Sequence, residues 1–296
     1  MKLHLVTLPY NTAGRGGGGA SGPERLLADG LADQVRAQGH QLVGIKRVEL
    51  SPEEEQQYGG WNRVALANGH LAEAVARAAA GNGSLVLGLL ADCNGVLGML
   101  GGLTRGPAPQ WPRRVGLIWI DAHADYNTPE TSPSGMLGGM PVAIAAGKCL
   151  QNLRRRSGLR FPLGSPDIVM AGLRDVDAEE QVMLDQDGIV QLSLEDLVEG
   201  TPHLHWVMRN LSERQDLIYA HIDLDILDPE MAPAAGLPTP GGISGESLGQ
   251  ALAQIAAYPK VAALAFVSYN ADRDRDGRTG REVATAILGA TAGLPT

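Results

Sequence analysis

The sequence predicts an α/β fold in which a parallel sheet is covered by helices on both faces. Short runs of aliphatic and β-branched residues alternate with longer segments of helical periodicity along the 296 residues. The runs LVLGLLA (85–91) and VGLIWI (115–120) contain no charged position, which is typical of strands buried on both faces. The 39 glycines indicate many tight turns between strands and helices. Together these features favour alternating β and α elements around a parallel sheet.

The apolar pattern divides the chain into eight strands and eight helices. The predicted strands cover residues 2–8, 41–49, 84–91, 114–123, 167–174, 189–194, 217–226 and 261–269. The predicted helices cover residues 22–39, 62–81, 94–104, 139–147, 178–186, 202–214, 244–258 and 279–291. This alternation is compatible with an open doubly wound sheet and with a closed barrel. The Gly-rich segment 14–22 lacks the Walker A pattern and is interpreted as a flexible surface loop.

Composition excludes several classes of protein. A net charge of −9 without a Lys/Arg stripe argues against a nucleic-acid partner, and it suits a cationic substrate or metal as well as simple solubility. Two cysteines are too few for a disulfide framework. The N-terminus does not resemble a signal peptide, and no apolar run reaches the ~20 residues that span a bilayer. We therefore expect a cytoplasmic protein with no membrane partner, whose length suits one large α/β domain over residues 1–296.

Two acidic clusters follow predicted strands. Asp121, His123 and Asp125 follow VGLIWI, and Asp223 and Asp225 follow LIYAHI. A spacing of two places strand side chains on one face, and the carboxyl ends of parallel strands are where α/β sheets bind ligands. Four neighbouring aspartates cannot all ionise without a compensating charge. The sequence therefore predicts two divalent cations, for which Mn²⁺ suits the hard ligands and Zn²⁺ or Fe²⁺ is an alternative.

Four segments resemble the arginase/agmatinase/formiminoglutamase (ureohydrolase) family. They are Gly22-Pro-Glu-Arg, WIDAHADYNTP (119–129), AGLRDVD (171–177) and HIDLDILDPEMAPAAGLPTPGGIS (221–244). The resemblance covers nearly the whole chain. It implies a three-layer α/β/α domain with an eight-stranded, mostly parallel open sheet, and so favours the open sheet over the barrel. It also implies two Mn²⁺ ions per chain, hydrolysis of guanidino-type C–N bonds and assembly as a trimer or hexamer.

The resemblance assigns a role to each predicted metal ligand. Asp121 and Asp223 would bridge both ions. Asp125 would complete the first metal site and would also orient the attacking hydroxide and pass its proton to the leaving nitrogen. His123 and Asp225 would complete the second site.

The resemblance also implies a subsite for an amino-acid substrate. Asn127, Ser134 and Asp177 match positions that hold the α-carboxylate and α-amino group, and Glu180 belongs to the same subsite. Turn chemistry in a Pro-rich loop is an equally good explanation for Asn127 and Ser134.

Three positions depart from the family pattern. Cys93 stands where a histidine would bind the first metal, and it either binds the metal, hydrogen-bonds to a metal-bound water or fills space. Gly138 replaces a histidine that would shuttle protons. Ser268 replaces a glutamate that would grip the guanidinium, and a hydroxyl suits a neutral or oxygen-bearing group better.

The departures favour a less basic, hydroxylated guanidine. The chain is in this respect similar to the Nω-hydroxyarginine amidinohydrolase of D-cycloserine biosynthesis. Two reactions are therefore expected: Nω-hydroxy-L-arginine to hydroxyurea and ornithine, or arginine to urea and ornithine. The alternative is a degenerate family member that binds metal or ligand without turnover. His221 is interpreted as a core histidine or a support for the metal ligands.

Overall fold

The computed structural model describes residues 1–81, 83–106 and 112–294. In this part of the chain, ten strands and twelve α-helices follow one another. The strands are β1 (Lys2–Leu8), β2 (Tyr10–Asn11), β3 (Gly14–Arg15), β4 (Gln41–Arg47), β5 (Ser84–Leu90), β6 (Val115–Ile120), β7 (Ile168–Ala171), β8 (Val190–Leu192), β9 (Leu217–Asp223) and β10 (Val261–Val267). The helices are α1 (Gly22–Ala28), α2 (Leu31–Ala37), α3 (Pro52–Glu55), α4 (Gly60–Ala78), α5 (Val96–Leu103), α6 (Pro141–Ala145), α7 (Gln151–Arg156), α8 (Ala178–Asp187), α9 (Leu194–Glu199), α10 (Pro202–Arg214), α11 (Gly245–Ala256) and α12 (Arg278–Ala292).

Eight of these strands form one sheet in the order β4-β1-β5-β10-β9-β6-β7-β8. Each neighbouring pair is parallel. Because β4 and β8 lie at the two edges, the sheet is open. The prediction of an open α/β/α sheet is therefore confirmed, and the closed barrel is excluded. The strands β2 and β3 form a separate short antiparallel hairpin.

Two hydrophobic cores cover the two faces of the sheet. On β9, Ile218 and Ala220 point into a core shared with α1, α2 and α9–α12. Tyr219 points to the opposite core, which α4–α6 and α8 complete. This alternation at a period of two explains why the central strands are apolar at nearly every position. Burying apolar surface on both faces fixes the register of β9 and thereby the position of its carboxyl end.

Several predicted boundaries were wrong for local reasons. The predicted helix 22–39 divides into α1 and α2 because Gly30 adopts a φ of 87° between them. The predicted strand 217–226 ends at Asp223, where a 3₁₀ turn over Leu224–Ile226 begins. The short helices α3, α7 and α9 were not predicted.

The Gly-rich segment is not only a surface loop. It contains β3 and a 3₁₀ helix at Gly18–Ser21. A Cβ atom added to Gly19 would lie 2.3 Å from the carbonyl oxygen of Ala91, and one added to Gly22 would lie 2.2 Å from that of Tyr269. Glycine is required here because the chain passes directly against the carboxyl ends of β5 and β10. Among the described helices, none is both long and apolar enough to cross a bilayer.

Candidate metal centre

The predicted metal ligands and Ser268 lie at the carboxyl ends of the four central strands. Neighbouring strands β5, β10, β9 and β6 end at Leu90, Val267, Asp223 and Ile120. After β5 and β6 the chain turns towards helices on one face of the sheet, and after β9 and β10 towards helices on the other. A crevice opens where connections diverge in this way, and in α/β proteins it is the usual ligand site. The cavity there has a volume of about 490 Å³.

Two groups of potential metal ligands meet in this cavity, and Asp121 belongs to both. In the first group, donor atoms of Cys93, Asp121 and Asp125 all lie within 4.8 Å of one another. In the second group, those of Asp121, His123 and Asp225 satisfy the same distance. We call these the cysteine group and the histidine group. A shared carboxylate between two donor sets is the arrangement expected for a pair of ions.

Asp223 lies against both groups through hydrogen bonds. Its Oδ2 accepts from Cys93 Sγ at 2.8 Å and from Ser268 Oγ at 2.5 Å. Its Oδ1 accepts from the backbone N–H of Asp225 at 3.0 Å. The five predicted ligands Asp121, His123, Asp125, Asp223 and Asp225, together with Cys93, are thus brought together in one cavity.

Backbone N–H groups of the loop after β6 hydrogen-bond to the carboxylates of the histidine group. The backbone N–H of His123 donates to Asp121 Oδ1 at 2.7 Å, and that of Ala122 donates to Asp225 Oδ1 at 3.2 Å. His123 Nδ1 lies 3.1 Å from Asp225 Oδ2 and 3.4 Å from Asp121 Oδ1. Burial alone would lower the pKa of His123, but these two carboxylates raise it to about 11. In its protonated form the imidazole therefore offsets part of the negative charge of Asp121 and Asp225.

The positive charge near these carboxylates is too small for all of them to ionise together. Burial, followed by repulsion between neighbouring carboxylates, raises the pKa of Asp121 and Asp125 and raises that of Asp223 to about 7. Asp121 is 1% exposed and Asp225 3% exposed, so solvent does little to relieve the repulsion. Divalent cations would supply the missing charge, and the oxygen-rich donor set fits hard ions of this kind.

Two residues of the site adopt unusual backbone conformations. Asp125 has a φ of 48° and Ser268 a φ of 71°, in the left-handed region that non-glycine residues seldom adopt. Such conformations cost about 1–3 kcal/mol each and are typical of functional sites. Both residues line the cavity.

The predicted amino-acid subsite lies on the loop after β6 and the start of α8. Asn127 Nδ2 donates to Asp177 Oδ2 at 2.9 Å. Glu180 is buried and accepts from the backbone N–H of Tyr126 at 2.6 Å and of Asp177 at 3.3 Å. Ser134 is exposed at the cavity wall, where its Oγ accepts from the backbone N–H of Met136 at 3.2 Å. Asn127, Asp177 and Glu180 therefore form one connected unit, whereas Ser134 belongs to a neighbouring turn.

Two of the departures, Gly138 and Ser268, line the cavity. Gly138 lines the cavity, and a Cβ atom added to it would meet no atom within 4 Å. Ser268 lines the cavity from the end of β10, and its hydroxyl donates to Asp223. The cavity therefore has room for a larger group at Gly138, whereas the Ser268 hydroxyl is engaged with Asp223.

Sequence reasoning missed residues that support the centre without ligand chemistry of their own. Gly236 packs against it so closely that an added Cβ would lie 3.1 Å from Ser268 Cβ and 3.3 Å from Asp223 Oδ1. Arg174 donates to backbone carbonyls of Gly172, Asp225, Thr239 and Pro240 and so holds the loop beyond β9. Most of the atoms that they contact belong to residues distant in sequence, so no local spacing reveals them.

His221 lies in the core beneath the centre. It is fully buried and stacks on Trp119 with ring centroids 4.1 Å apart. Its Nδ1 lies 2.7 Å from the hydroxyl of Tyr219. It therefore packs below the ligands of β9 and is absent from both ligand groups.

Comparison with known proteins gives a consistent result over almost the whole chain. A family model described as the Arginase family matches residues 2–293. The chain is 28% identical to an arginase of Bacillus caldovelox, with 98% of each chain covered. It is 33% identical to an arginase of Neurospora crassa over 75% of this chain and 65% of that protein. The structure of Entamoeba histolytica arginase in complex with L-ornithine superposes with a TM-score of 0.81 at 26% identity, covering 98% of this chain and 97% of the other.

Proposed function

The chain belongs to the arginase family of metal-dependent hydrolases that act on C–N bonds, and on this premise we propose that it hydrolyses Nω-hydroxy-L-arginine to hydroxyurea and ornithine. The observation on which this substrate rests is the pair of small residues, Gly138 and Ser268, in the cavity beside the metal ligands. We further propose that residues 1–296 act as one domain, in a cytoplasmic trimer or hexamer.

The six clustered side chains would hold a pair of divalent ions. Asp121 and Asp223 would bridge the ions, Asp125 and Cys93 would complete the first site, and His123 and Asp225 the second. We propose Mn²⁺ because most of the donors are hard oxygens, with the first site weakened by Cys93. When bound, such a pair polarises the guanidine and lowers the pKa of water enough to provide a hydroxide at neutral pH.

Asp125 is the group that would move the proton. Its carboxylate lines the cavity and accepts no hydrogen bond from the described residues. It is therefore free to accept the proton of the attacking water and to deliver it to the nitrogen that leaves with ornithine. Water adds to the guanidine carbon, the bond to the ornithine nitrogen breaks, and hydroxyurea retains the N–OH group.

The proposed substrate preference follows from the side chains at positions 138 and 268. Gly138 offers no proton donor, so with either substrate the proton for the ornithine nitrogen would come from Asp125. Ser268 offers a hydroxyl in place of a carboxylate, so this side chain cannot form an ion pair with a full guanidinium cation. A hydroxyguanidine is less basic, and its extra hydroxyl fits the open space at Gly138 and can hydrogen-bond to Ser268 Oγ.

The connected unit of Asn127, Asp177 and Glu180, with Ser134 on the next turn, supports an α-amino acid as the substrate. Amide, hydroxyl and carboxylate groups together suit a substrate that carries both an α-carboxylate and an α-ammonium group. The complex of the related Entamoeba histolytica protein with L-ornithine is consistent with such a subsite.

A substrate panel tests the proposal. The Mn²⁺-loaded protein should release hydroxyurea from Nω-hydroxy-L-arginine at a kcat/KM at least about tenfold above that for urea release from arginine. The double variant Gly138→His, Ser268→Glu should move this ratio towards arginine, because the glutamate provides a charge partner for the guanidinium and the histidine fills the space at Gly138. Faster turnover of arginine than of hydroxyarginine by the unmodified protein would refute the substrate assignment.

Metal stoichiometry separates this proposal from that of a degenerate family member. Two ions per chain together with no turnover on any amidine or guanidino acid would favour a binding role. Loss of tight binding at both groups would favour a structural role.

A further inference from the structure

A buried asparagine with no hydrogen-bond partner lies in the wall of the cavity. Asn94 follows Cys93 in the chain, is 1% exposed and lines the same cavity as the metal ligands. Neither Oδ1 nor Nδ2 of its amide has a hydrogen-bond partner among the residues that the structure describes, and both atoms are closed off from solvent. Such a group lowers the stability of the folded protein, because it has lost water without gaining a partner.

The other unpaired buried side-chain atoms of the described residues differ from this amide in number and in place. Each of the other residues concerned contributes a single atom, and none of them lines the cavity. Asn94 is thus the described residue whose amide is unpaired at both ends and which also belongs to the cavity wall. This combination indicates a group that a bound ligand, and not the fold, would satisfy.

A second buried asparagine shows how the fold satisfies an amide that it uses for support. Asn68 of α4 is fully buried, and its Nδ2 donates to the carbonyl oxygen of Val64 at 3.0 Å. Its Oδ1 accepts from the backbone N–H of Gly98 at 2.9 Å and so joins α4 to α5. Asn94 is equally buried but makes no side-chain hydrogen bond of this kind within the described chain.

The turn after β5 fixes the backbone of Asn94. Asp92 Oδ1 accepts from the backbone N–H of Asn94 at 3.0 Å and so starts the 3₁₀ helix Cys93–Gly95. The turn packs on the end of β5, since a Cβ added to Gly95 would lie 2.6 Å from Leu90 Cδ1. Burial raises the pKa of Asp92 to about 6, and the side chain and backbone N–H of Asn94 lower it in part. Support of Asp92 is therefore the structural role against which any binding role has to be tested.

The turn that carries Asn94 lies beside the open space at Gly138. The 3₁₀ helix Cys93–Gly95 neighbours a second 3₁₀ helix, Leu137–Gly139. A Cβ added to Gly138 would meet no atom within 4 Å. The unpaired amide therefore belongs to the part of the cavity where the substrate hydroxyl is proposed to fit.

The same part of the cavity wall continues from Asn94 to Ser268. Cys93 Sγ donates to Asp223 Oδ2 at 2.8 Å, and Ser268 Oγ donates to the same oxygen at 2.5 Å. Cys93 and Ser268 are therefore neighbours at one carboxylate oxygen, and Asn94 is the next residue after Cys93. A hydroxyguanidine at the metal centre would meet the Asn94 turn and the Ser268 hydroxyl together.

We propose that Asn94 is a specificity-determining residue whose side chain turns into this space and binds the hydroxyguanidine end of the substrate. Its Nδ2 donates to the oxygen of the N-hydroxyl group, and its Oδ1 accepts from an N–H of the other terminal nitrogen. The hydroxyl hydrogen then stays available to Ser268 Oγ. Arginine offers the N–H but no hydroxyl, so it leaves Nδ2 unpaired, and a buried polar group left unpaired is what gives strong discrimination. This inference rests on the proposed hydroxyguanidine substrate.

The variant Asn94→Leu, which is close in size but has no polar atoms in its side chain, tests the inference through two specificity constants of the Mn²⁺-loaded protein. It should lower kcat/KM for Nω-hydroxy-L-arginine by at least about tenfold relative to kcat/KM for L-arginine, as expected for the loss of one hydrogen bond to the hydroxyl. Its metal content should equal that of the unmodified protein, because Asn94 is absent from both ligand groups. The two effects together exclude damage to the neighbouring Cys93 as the cause.

Thermal unfolding of the substrate-free protein separates substrate binding from structural support. Because Asn94→Leu removes two unpaired polar atoms from a buried position, its Tm should be equal to or higher than that of the unmodified protein. Asn68→Leu is the matched control. It removes an amide of equal burial whose hydrogen bonds are made, so it should lower Tm and leave the ratio of the two specificity constants unchanged.

Binding of the products extends the test to a protein that shows no turnover. Hydroxyurea and urea differ by the same hydroxyl group, and equilibrium dialysis measures both. The unmodified protein should bind hydroxyurea more tightly than urea, and Asn94→Leu should lose this preference.

Two results would overturn the inference. One is an unchanged preference for the hydroxylated substrate and product in Asn94→Leu. The other is a loss of Tm in Asn94→Leu as large as that in Asn68→Leu, which would mean that Asn94 supports Asp92. Faster turnover of arginine by the unmodified protein refutes the substrate assignment alone, since the change on replacing Asn94 still reports whether its amide binds the hydroxyl.

Discussion

Two acidic regions of the molecule show opposite electrostatic behaviour. At the start of α9, Asp196 accepts hydrogen bonds from the backbone N–H and the hydroxyl of Ser193, both at 3.0 Å, and from Thr201 Oγ1 at 2.5 Å. The Thr201 hydroxyl is the largest of several contacts that lower the pKa of Asp196 to about 2. Hydrogen-bond donors of the protein itself therefore stabilise the ionised form of this carboxylate.

The metal centre has carboxylates in excess of donors. Burial and mutual repulsion raise the pKa of Asp121, Asp125 and Asp223, and His123 is the one cationic side chain within either ligand group. The difference teaches how to separate structural from functional aspartates. A carboxylate that the chain supplies with donors stabilises the fold, whereas carboxylates left together in a cavity require an external cation and cost stability until it binds.

The strongest test of this contrast is the removal of Asp223. Asp223→Ala should eliminate binding of the metal pair and reduce kcat/KM by at least the ~10²–10³-fold that loss of one electrostatic contact to the transition state costs. Metal analysis of the purified variant and turnover of hydroxyarginine measure both effects. Asp196→Asn, which removes a hydrogen-bonded carboxylate that does not line the cavity, should leave metal content and turnover unchanged. Retained turnover in Asp223→Ala would show that the ligand assignment is wrong.

Periodicity was sufficient to predict most of the fold. The predicted strand 2–8 and helix 202–214 coincide with β1 and α10 because their apolar spacing is regular and their ends are marked by turn residues. The break at Gly30 and the end of β9 at Asp223 depend on single backbone conformations, which apolar spacing does not record. Strand order depends on contacts distant in sequence and was not predicted; the family resemblance supplied only the choice of an open sheet over a barrel.

The candidate centre was predictable for a different reason. Asp121, His123, Asp125, Asp223 and Asp225 follow buried strands at a spacing of two, so their convergence at one edge of the sheet follows from sheet geometry. Gly236 and Arg174 could not be found in this way, since they act through close packing and backbone carbonyls. The role of Cys93 stayed open at the sequence level because residue type alone does not give the distance of its sulfur from the carboxylates.

The next largest expected effect is a pH dependence of the free energy of unfolding of the metal-free protein. A carboxyl group whose pKa is raised in the folded state binds more protons there than in the unfolded state. The folded protein therefore loses stability as the pH rises from the unfolded pKa of the group to its folded pKa. The metal-free protein should therefore lose stability between about pH 4 and pH 7, by up to ~1.4 kcal/mol per pH unit for each titrating group. The upper limit follows from Asp223, whose pKa is raised to about 7.

Urea unfolding of the chelator-treated protein at several pH values measures this slope. Asp223→Asn should make it shallower, because one titrating group and its repulsion are removed. Saturating Mn²⁺ should reverse its sign, since protons compete with the ion for the same oxygens. A metal-free protein whose stability rises steadily from pH 4 to pH 7 would contradict the raised pKa values of the centre.

The smallest effect belongs to the donor-rich region. Asp196→Asn should lower the free energy of unfolding by ~1 kcal/mol at neutral pH, the usual cost of weakening such hydrogen bonds. Because the folded pKa of Asp196 is lowered to about 2, its contribution is present above the unfolded value near 4 and is lost as pH falls through about 2. The difference between the two proteins should therefore shrink in acid and be indifferent to Mn²⁺, as judged by urea unfolding with and without the ion. A difference that grows when Mn²⁺ is added would place Asp196 in the same electrostatic system as the metal centre and remove the distinction between the two regions.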